Sequence, residues 1–216
     1  MFDNIRADVR AVMERDPAAK NVFEVFFLYP GVRALRMHRR AHFFWQCKLN
    51  FIAKAIAFSA RKKTGIEIHP GAKIGKGVVI DHGMGVVIGE TAVVGDGCTI
   101  YQNVTLGGTG KDKGKRHPTI GNNVMIGAGA KILGPFSVGD HSKIAANSVV
   151  LSEVPPNSTC VGAPARVVKI NDKRVMDKNW ELDQTHIPDP VAQELCKMLI
   201  RLEKLEKKGE AEGEKI

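Results

Sequence analysis

The 216-residue sequence lacks the features that mark secreted, membrane-spanning and disulfide-stapled proteins. No stretch approaches 18 consecutive apolar residues, and charges interrupt the first ten positions, where a signal peptide needs an apolar segment. The four cysteines, Cys47, Cys98, Cys160 and Cys196, lie far apart and form no Cys-x-x-Cys pair, so neither a disulfide framework nor a zinc knuckle is predicted. We therefore expect a soluble protein of the reducing cytoplasm without a membrane partner.

Two further classes of site find little support. The segment 107–116, GGTGKDKGKR, lacks the Gly-x4-Gly-Lys-Ser/Thr spacing of a phosphate-binding P-loop. His38 and His42 have the i, i+4 spacing of two metal ligands on a helix, but no third ligand lies near them in the sequence. We expect ordinary packing at this pair and no metal ion.

The chain is basic, with 32 Lys and Arg against 23 Asp and Glu and a net charge of +9. The excess lies in residues 1–65, which hold 13 basic and 5 acidic residues. Clustered Lys and Arg neutralise phosphates, so nucleic-acid binding is one interpretation. Because no nucleic-acid-binding motif accompanies the charge, we favour a solvated helical surface and expect no nucleic-acid partner.

Ile or Val recurs every six residues through the middle of the chain, with two interruptions. The twelve positions are Ile68, Ile74, Ile80, Ile88, Val94, Ile100, Ile120, Ile126, Ile132, Val138, Ile144 and Val150. β-Branched residues at this spacing, often followed by Gly, are typical of short strands joined by tight corners, whereas a helix needs spacings of three and four. Three hexads complete a coil, and stacked coils form a prism with an aliphatic interior.

The two interruptions are predicted to leave this prism at one edge. Counting the hexads in threes puts the residues before both interruptions in one column, formed by Ile80, Ile100, Ile132 and Val150. The first interruption, at Val86 and Val87, and the second, residues 106–119, would then leave the prism one coil apart and beside Asp81 and His82. We expect the functional residues to lie where the hexapeptide repeat is interrupted.

The residues with catalytic chemistry are predicted to gather beside the interruptions. Glu67 precedes His82 by 15 residues, three short of a coil, so its carboxylate is placed to orient the imidazole from the neighbouring coil. A histidine with such a partner is typical of a general base. Arg116 and His117, in the second interruption, offer donors that suit a carboxylate or a phosphate.

The hexapeptide pattern resembles that of the hexapeptide-repeat acyltransferases, and within them the sequence resembles the serine O-acetyltransferases from about residue 5 to 170. The matching segments are 15–18 (RDPA), 68–72 (IHPGA), 81–83 (DHG), 87–92 (VIGETA), 105–111 (TLGGTGK), 116–118 (RHP) and 125–134 (MIGAGAKILG). The resemblance implies a mainly β fold: a left-handed parallel β-helix with an N-terminal α-helical domain and a C-terminal helical tail.

The resemblance also implies the reaction, which is acetyl transfer from acetyl-CoA to the hydroxyl of L-serine. The products are O-acetylserine and CoA, and the reaction begins cysteine biosynthesis from serine. His82 matches the general base, and Glu67 stands where the best-known members have an orienting Asp. Direct transfer is expected, because no Ser or Cys accompanies the base as a nucleophile.

Further matches concern the ligands. Asp16 and Asp81 match the residues that hold the amino group of serine, whereas Arg116 and His117 match those that engage its carboxylate. Acetyl-CoA is expected in the groove between neighbouring prisms, where the family contacts it largely through backbone amides. The corresponding positions here are Gly108, Ala128 and Ala146, with Lys143 a candidate for the phosphates.

Three regions are predicted: a helical domain (1–65), the catalytic β-helix (66–170) and a tail (171–216). One apolar stripe in the tail predicts an amphipathic helix, with Val191, Leu195, Met198, Leu202 and Leu205 in a 4-3-4-3 spacing. That helix fits a coiled coil and packing on its own prism equally well. Longer family members join two trimers through an N-terminal extension that this chain starts without, so a homotrimer is expected rather than a dimer of trimers.

The last residue, Ile216, carries a further expectation. Many members end in Ile, which enters the active site of O-acetylserine sulfhydrylase, so the resemblance implies docking of that enzyme and also feedback inhibition by L-cysteine. Three alternatives remain open: acetylation of a sugar or antibiotic hydroxyl, a non-catalytic scaffold, and a nucleic-acid binder. Acetylation of a sugar or antibiotic hydroxyl would not require Asp16 and Arg116 to bind the two charged groups of an amino acid.

Overall fold

The computed structural model of the chain describes residues 2–110, 113–171, 173–174, 198 and 201. In this part of the chain, four helices come first: α1 (Phe2–Arg15), α2 (Val22–Leu28), α3 (Pro30–Gln46) and α4 (Asn50–Thr64). Gly65 caps the C-terminus of α4, has a φ of 70° and donates its N–H to the Arg61 carbonyl (2.8 Å). Glycine suits this position because other residues are strained in the left-handed conformation.

Short strands follow α4 and wind into a prism with three faces. They are β1 (Glu67–Ile68), β2 (Lys73–Ile74), β3 (Val79–Ile80), β4 (Val87–Ile88), β5 (Val93–Val94), β6 (Thr99–Ile100), β7 (Thr105–Gly107), β8 (Thr119–Ile120), β9 (Met125–Ile126), β10 (Lys131–Leu133), β11 (Ser137–Val138), β12 (Lys143–Ile144), β13 (Val149–Val150), β14 (Ser158–Gly162), β15 (Ala165–Ile170) and β16 (Lys173–Arg174). Face A consists of β1, β4, β7, β10 and β13; face B of β2, β5, β8 and β11; and face C of β3, β6, β9, β12 and β14. Strands β15 and β16 extend face C in antiparallel pairing.

The interior of the prism is a set of stacked aliphatic ladders. On face C, Ile100 pairs with Ile126 and Ile126 with Ile144, and all three are fully buried. Each such ladder removes its side chains from water while the parallel strands satisfy the backbone. The predicted hexapeptide prism, preceded by helices, is confirmed.

The predicted column of Ile80, Ile100, Ile132 and Val150 is wrong. Ile80 and Ile100 lie on face C, whereas Ile132 and Val150 lie on face A. The cause is Leu106, which is the sixth residue after Ile100, is fully buried and pairs with Ile132 on face A. A repeat defined by Ile and Val alone omits this hexad and therefore assigns every later hexad to a neighbouring face.

The two insertions consequently leave the prism at different edges. Residues 81–86 join face C to face A at edge CA, and residues 108–118 join face A to face B at edge AB. The longer insertion folds back along edge AB, where His117 contacts Thr91 of the preceding coil. The expectation that both insertions lie at one edge, beside the Asp-His pair, is wrong.

The helices close the first coil and hold α1 against it. Leu35 of α3 belongs to the same buried cluster as the aliphatic interior. Arg39 of α3 forms a buried ion pair with Asp8 of α1 (2.6 Å) and donates to the Gly75 carbonyl (2.9 Å). This pair fixes α1 in place, and Asp16 follows directly after that helix.

Most of the predicted tail lies outside the described residues. Met198 is helical, but the stripe positions Val191, Leu195, Leu202 and Leu205 lie outside them, as does Ile216. Helix α4 ends at Thr64 and β1 begins at Glu67. The three domain boundaries stay predictions.

Candidate active site

His82 occupies a sharp corner of edge CA and has a φ of 56°. The Gly83 N–H bonds to the Asp81 carbonyl (2.6 Å), and the N–H of the next residue bonds to the His82 carbonyl (2.9 Å). A Cβ on Gly83 would lie 2.5 Å from Ile66 Cδ1, so the corner rests directly on the aliphatic interior. The imidazole of His82 is 75% exposed, with Nε2 4.0 Å from Asp81 Oδ1.

Glu67, the predicted orienting carboxylate, lies on face A, into which the His82 corner leads. Its Oε2 pairs with the Arg61 guanidinium at 3.0 Å. No ion pair joins Glu67 to His82 among the described residues. The carboxylate beside His82 in the single chain is that of Asp81, and the orienting role of Glu67 stays a prediction.

Asp16 and Asp81 act on a common neighbour, Tyr29, which precedes α3. Burial raises the pKa of the Tyr29 hydroxyl, and so do a hydrogen bond to Asp16 and the negative charge of Asp81. The two carboxylates therefore lie within electrostatic reach of one side chain, an arrangement suited to an ammonium group, and one of them directly precedes His82. Sequence reasoning missed Tyr29, because a tyrosine before a proline carries no site signal.

Arg116 is held at edge AB by an ion pair with Glu90. The hydrogen bond from Arg116 is the main reason that the pKa of Glu90 lies below its usual range. At the start of the insertion, a Cβ on Gly108 would lie 3.0 Å from Arg116 Cγ, so the glycine leaves room for that side chain. The guanidinium is thus fixed before any ligand arrives.

His117 lies against the turn formed by residues 89–91 and is only 8% exposed. A Cβ on Gly89 would lie 2.0 Å from the ring Nε2, so the imidazole rests on bare backbone. Burial, followed by the charge of Arg116, lowers the pKa of His117 below its ordinary value. The neutral imidazole is therefore favoured. Sequence reasoning missed the supporting roles of Glu90 and Thr91, although both lie in a segment that carried the resemblance.

The four predicted CoA positions are distributed over the prism. Ala128 and Ala146 lie at edge CA, one coil apart, on coils beyond the His82 corner. Their backbone N–H groups make no hydrogen bond within the described residues. Gly108 lies at edge AB, and Lys143 begins β12 on face C. Edge CA therefore carries unused backbone donors along the same line as His82.

The predicted serine-binding residues form two groups in one chain. Asp81 accompanies His82 at edge CA, and Asp16 acts on the same neighbour as Asp81, whereas Arg116 and His117 lie at edge AB. Because the long insertion folds back by a coil, both groups lie near the helical end of the prism. The width of face A separates the two groups within a single chain.

Two absences concern only the residues that the structure describes. None of their helices has the length and apolarity needed to cross a bilayer. They contain no group of three or more His, Cys, Asp or Glu placed to hold a metal ion.

The pair His38 and His42 lies on α3. Burial, followed by the charge of His42, lowers the pKa of His38 to about 3. His42 Nδ1 donates to the Pro70 carbonyl (2.7 Å).

The sequence matches two protein families. Residues 1–37 match the family described as serine acetyltransferase, N-terminal, and residues 117–152 match bacterial transferase hexapeptide (six repeats). A serine acetyltransferase of Synechococcus elongatus is 52% identical over 206 residues, which cover 95% of this chain and 83% of that protein. The serine acetyltransferase of Staphylococcus aureus is 49% identical over the full length of both chains.

Solved structures of the same family are similar to the fold. The Neisseria gonorrhoeae serine acetyltransferase in complex with serine has a TM-score of 0.76 at 42% identity, over 78% of this chain and 69% of that one. The Brucella abortus enzyme in complex with coenzyme A has a TM-score of 0.75 at 46% identity, over 77% and 67%. A serine acetyltransferase complex with cysteine gives 0.78 at 43%, over 79% and 66%.

These likenesses confirm the predicted left-handed β-helix with its N-terminal helices. The sequence matches run through both the helices and the prism, and the relative from Staphylococcus aureus aligns from end to end. The chain belongs to the serine acetyltransferase family.

Proposed function

We propose that the protein transfers the acetyl group of acetyl-CoA to the hydroxyl of L-serine, giving O-acetylserine and CoA. The observation that carries this proposal is about 50% identity to serine acetyltransferases over nearly the whole chain, with the acidic pair and His82 at one edge of the prism. Relatives of the same fold form complexes with serine and with coenzyme A, which supports both substrates. The activity fits a place at the start of cysteine biosynthesis from serine.

The proposed chemistry is a direct transfer with His82 as general base. An unprotonated ring nitrogen of His82 accepts the hydroxyl proton of serine as its oxygen attacks the thioester carbonyl carbon. The resulting tetrahedral centre collapses as the carbon–sulfur bond breaks, and the imidazolium returns its proton to the departing sulfur. General-base catalysis of this kind contributes about 10²- to 10⁴-fold. A carboxylate beside the ring, Asp81 or Glu67, stabilises the imidazolium.

The proposed site binds both charged groups of serine. Asp16 and Asp81 accept hydrogen bonds from its ammonium group, and Arg116 and His117 donate to its carboxylate. A sugar or antibiotic hydroxyl offers no zwitterion for this clamp, which favours serine among acceptors of the fold.

The two halves of the clamp lie at different edges of one chain, so we infer that a site is completed by a second copy. Edge CA of one protomer would face edge AB of the next, and a closed ring with such heterologous contacts is a cyclic oligomer. A homotrimer accounts for this arrangement with three equivalent sites.

Acetyl-CoA is proposed to lie in the groove between these two edges. The unused N–H groups of Ala128 and Ala146 are donors for the amide-rich arm of CoA, and Gly108 lies on the opposing edge of the groove. Lys143 supplies positive charge for the phosphates. The acetyl end of the cofactor would then reach His82.

Two regulatory expectations also remain proposals. L-Cysteine differs from serine by one atom and carries the same charged ends, so the clamp accepts it as an inhibitor, and a relative forms a cysteine complex. O-Acetylserine sulfhydrylase is proposed to bind Ile216 at the end of the tail. A pull-down in which a chain lacking Ile216 still retains the sulfhydrylase would contradict that docking.

The general-base assignment is tested by His82→Ala, assayed as CoA thiol release with a panel of hydroxyl acceptors. We expect release with L-serine and a loss of about 10²- to 10⁴-fold in kcat for the variant. His141→Ala is the matched control, because His141 is also an exposed histidine with a positive φ (57°), at another edge. Near-normal turnover of His82→Ala would contradict the proposal. CoA release that also occurs with acceptors other than serine would contradict it as well.

The shared site is tested by co-expressing His82→Ala chains with Arg116→Ala chains. Each homotrimer is inactive, but random mixing in a ring restores both functional edges at about one site in four. Recovery of about a quarter of wild-type activity supports a site between protomers. Absence of recovery from verified mixed trimers would place the whole site in one chain.

A further inference from the structure

Thr91 uses every polar group it has to hold residues 115–117 of the long insertion. Its Oγ1 accepts from the backbone N–H of Arg116 (3.0 Å) and of His117 (3.1 Å) and lies 2.9 Å from His117 Nδ1. Its own N–H points at the same Nδ1 (3.2 Å), and its carbonyl accepts from Lys115 Nζ (2.7 Å). One residue of the β4–β5 turn therefore holds three successive residues of the insertion.

These contacts determine which nitrogen of His117 carries the proton. The Thr91 amide can only donate, so His117 Nδ1 must be an acceptor and bear no hydrogen. The hydroxyl has two acceptor sites, both taken by backbone N–H groups, which leaves its single hydrogen for the same Nδ1. His117 is then neutral and protonated at Nε2.

The Nε2–H group is left for a ligand. It has no hydrogen-bond partner among the described residues, and the ring rests on the Gly89 backbone. We propose that Thr91 is a positioning residue that holds His117 as the neutral Nε2–H tautomer, so that this nitrogen donates to an oxygen of the substrate carboxylate. The last clause rests on the proposed function, whereas the tautomer does not.

The charged groups around His117 fit a neutral ring. Arg116 and Lys115 of its own segment oppose protonation, whereas Glu90 of the β4–β5 turn favours it and His69 of the β1–β2 turn opposes it. Burial opposes protonation more strongly than any of these charges. A hydrogen on Nδ1 would face the two hydrogens that the Thr91 amide and hydroxyl direct at the same atom. The same contacts therefore keep the ring neutral and place its hydrogen on Nε2.

The kinetic test compares Thr91→Val with Thr91→Ser. Valine keeps the shape but removes the hydroxyl, leaving two backbone N–H groups without their acceptor, so we expect KM for serine to rise about tenfold or more. The kcat at saturating serine should fall by a smaller factor, because His82 is untouched. Serine restores the hydroxyl and should keep KM within about threefold of the wild type.

Thr119→Val is the matched control, because Thr119 lies in the same prism and its side chain has no hydrogen bond among the described residues. A general loss of packing would affect both valine variants alike. Unchanged KM in Thr91→Val, or an equal defect in Thr91→Ser, would overturn the positioning role.

The tautomer is tested without any activity measurement. In ¹⁵N-histidine-labelled full-length protein at pH 7.5, two-bond proton–nitrogen correlations identify the protonated nitrogen, and loss of one set of signals in His117→Gln assigns them. We expect the Nε2–H pattern in the wild type. An Nδ1–H or doubly protonated ring would overturn the inference. If the protein shows the Nε2–H pattern but does not acetylate serine, the proposed function and the contact with the substrate carboxylate are wrong, whereas the tautomer assignment is right.

Discussion

The buried ion pair between Asp8 and Arg39 is one of the contacts that hold α1 on the prism, and Arg39→Met tests it. Arg39 Nη2 lies 2.6 Å from Asp8 Oδ2, and the two side chains are 8% and 2% exposed. Methionine keeps the apolar length of the arginine but removes its charge. Asp8 then retains the Val78 N–H (3.3 Å) as a donor.

Removing one partner of a buried pair costs about 3–5 kcal/mol, because the other charge is left uncompensated in a poorly solvating site. We therefore expect Arg39→Met to lower the free energy of unfolding by about that amount. Adding Asp8→Asn removes the stranded charge, so the double variant should be more stable than Arg39→Met alone. Urea unfolding at matched protein concentration measures both, because an oligomer's stability depends on concentration.

The pH dependence gives the sharper test. Burial raises the pKa of Asp8, and the charge and hydrogen bond of Arg39 oppose that rise. A carboxyl whose folded pKa is raised contributes stability that is present below its unfolded pKa of 3.8 and is lost as pH rises through the folded pKa. Arg39→Met raises the folded pKa further, so its deficit should be smaller at pH 5 than at pH 7.5. An equal deficit at both pH values, or a double variant no more stable than Arg39→Met, would refute this reasoning.

Two further predictions concern the interior of the prism. Ile126→Ala should lower the free energy of unfolding by about 2–5 kcal/mol and Ile126→Val by about 0.5–1.5 kcal/mol, because Ile126 is fully buried on face C; equal losses in urea titrations would contradict a packed ladder. Burial raises the pKa of Cys98 and of Cys160 to about 11, whereas Cys47 is exposed. Peptide mapping after brief thiol labelling of the native protein at pH 8 should therefore find Cys47 modified and the two buried thiols intact.

The repeat predicted the architecture because each hexad encodes one strand and one corner. The burial of Ile100, Ile126 and Ile144 follows from spacing alone, since an inward side chain every six residues faces the interior, but their position in one ladder does not follow from it. The face assignment failed at one residue, because Leu106 occupies an inward position that β-branched residues hold elsewhere. Periodicity gives the number of coils, but a single missed hexad rotates all later coils by one face.

For the candidate site, the sequence indicates which residue types to consider but not which of them pair. The repeat's interruptions identified His82 and Arg116 as exceptional, because regularity was lost around them. The partners of the predicted residues come from other parts of the chain: Glu90 pairs with Arg116, and Tyr29 forms a hydrogen bond with Asp16. Such contacts depend on how a long insertion folds back and on where the helices dock, and neither is encoded in local spacing.

The corrected face assignment strengthens the proposed path of the acyl donor. With Leu106 counted, the turns that contain Ala128 and Ala146 follow face C, so they lie on the same edge as the His82 corner. His82 follows β3 and Ala146 follows β12, three coils further on, which corresponds to about 14 Å at the usual spacing of strands. A compact acyl donor would contact edge CA only near His82. The unused N–H groups of Ala128 and Ala146, further along the same edge, suit an elongated carrier that has amide groups of its own. The placement of these donors is therefore a reason, independent of the role proposed for His82, to expect coenzyme A as the acyl carrier.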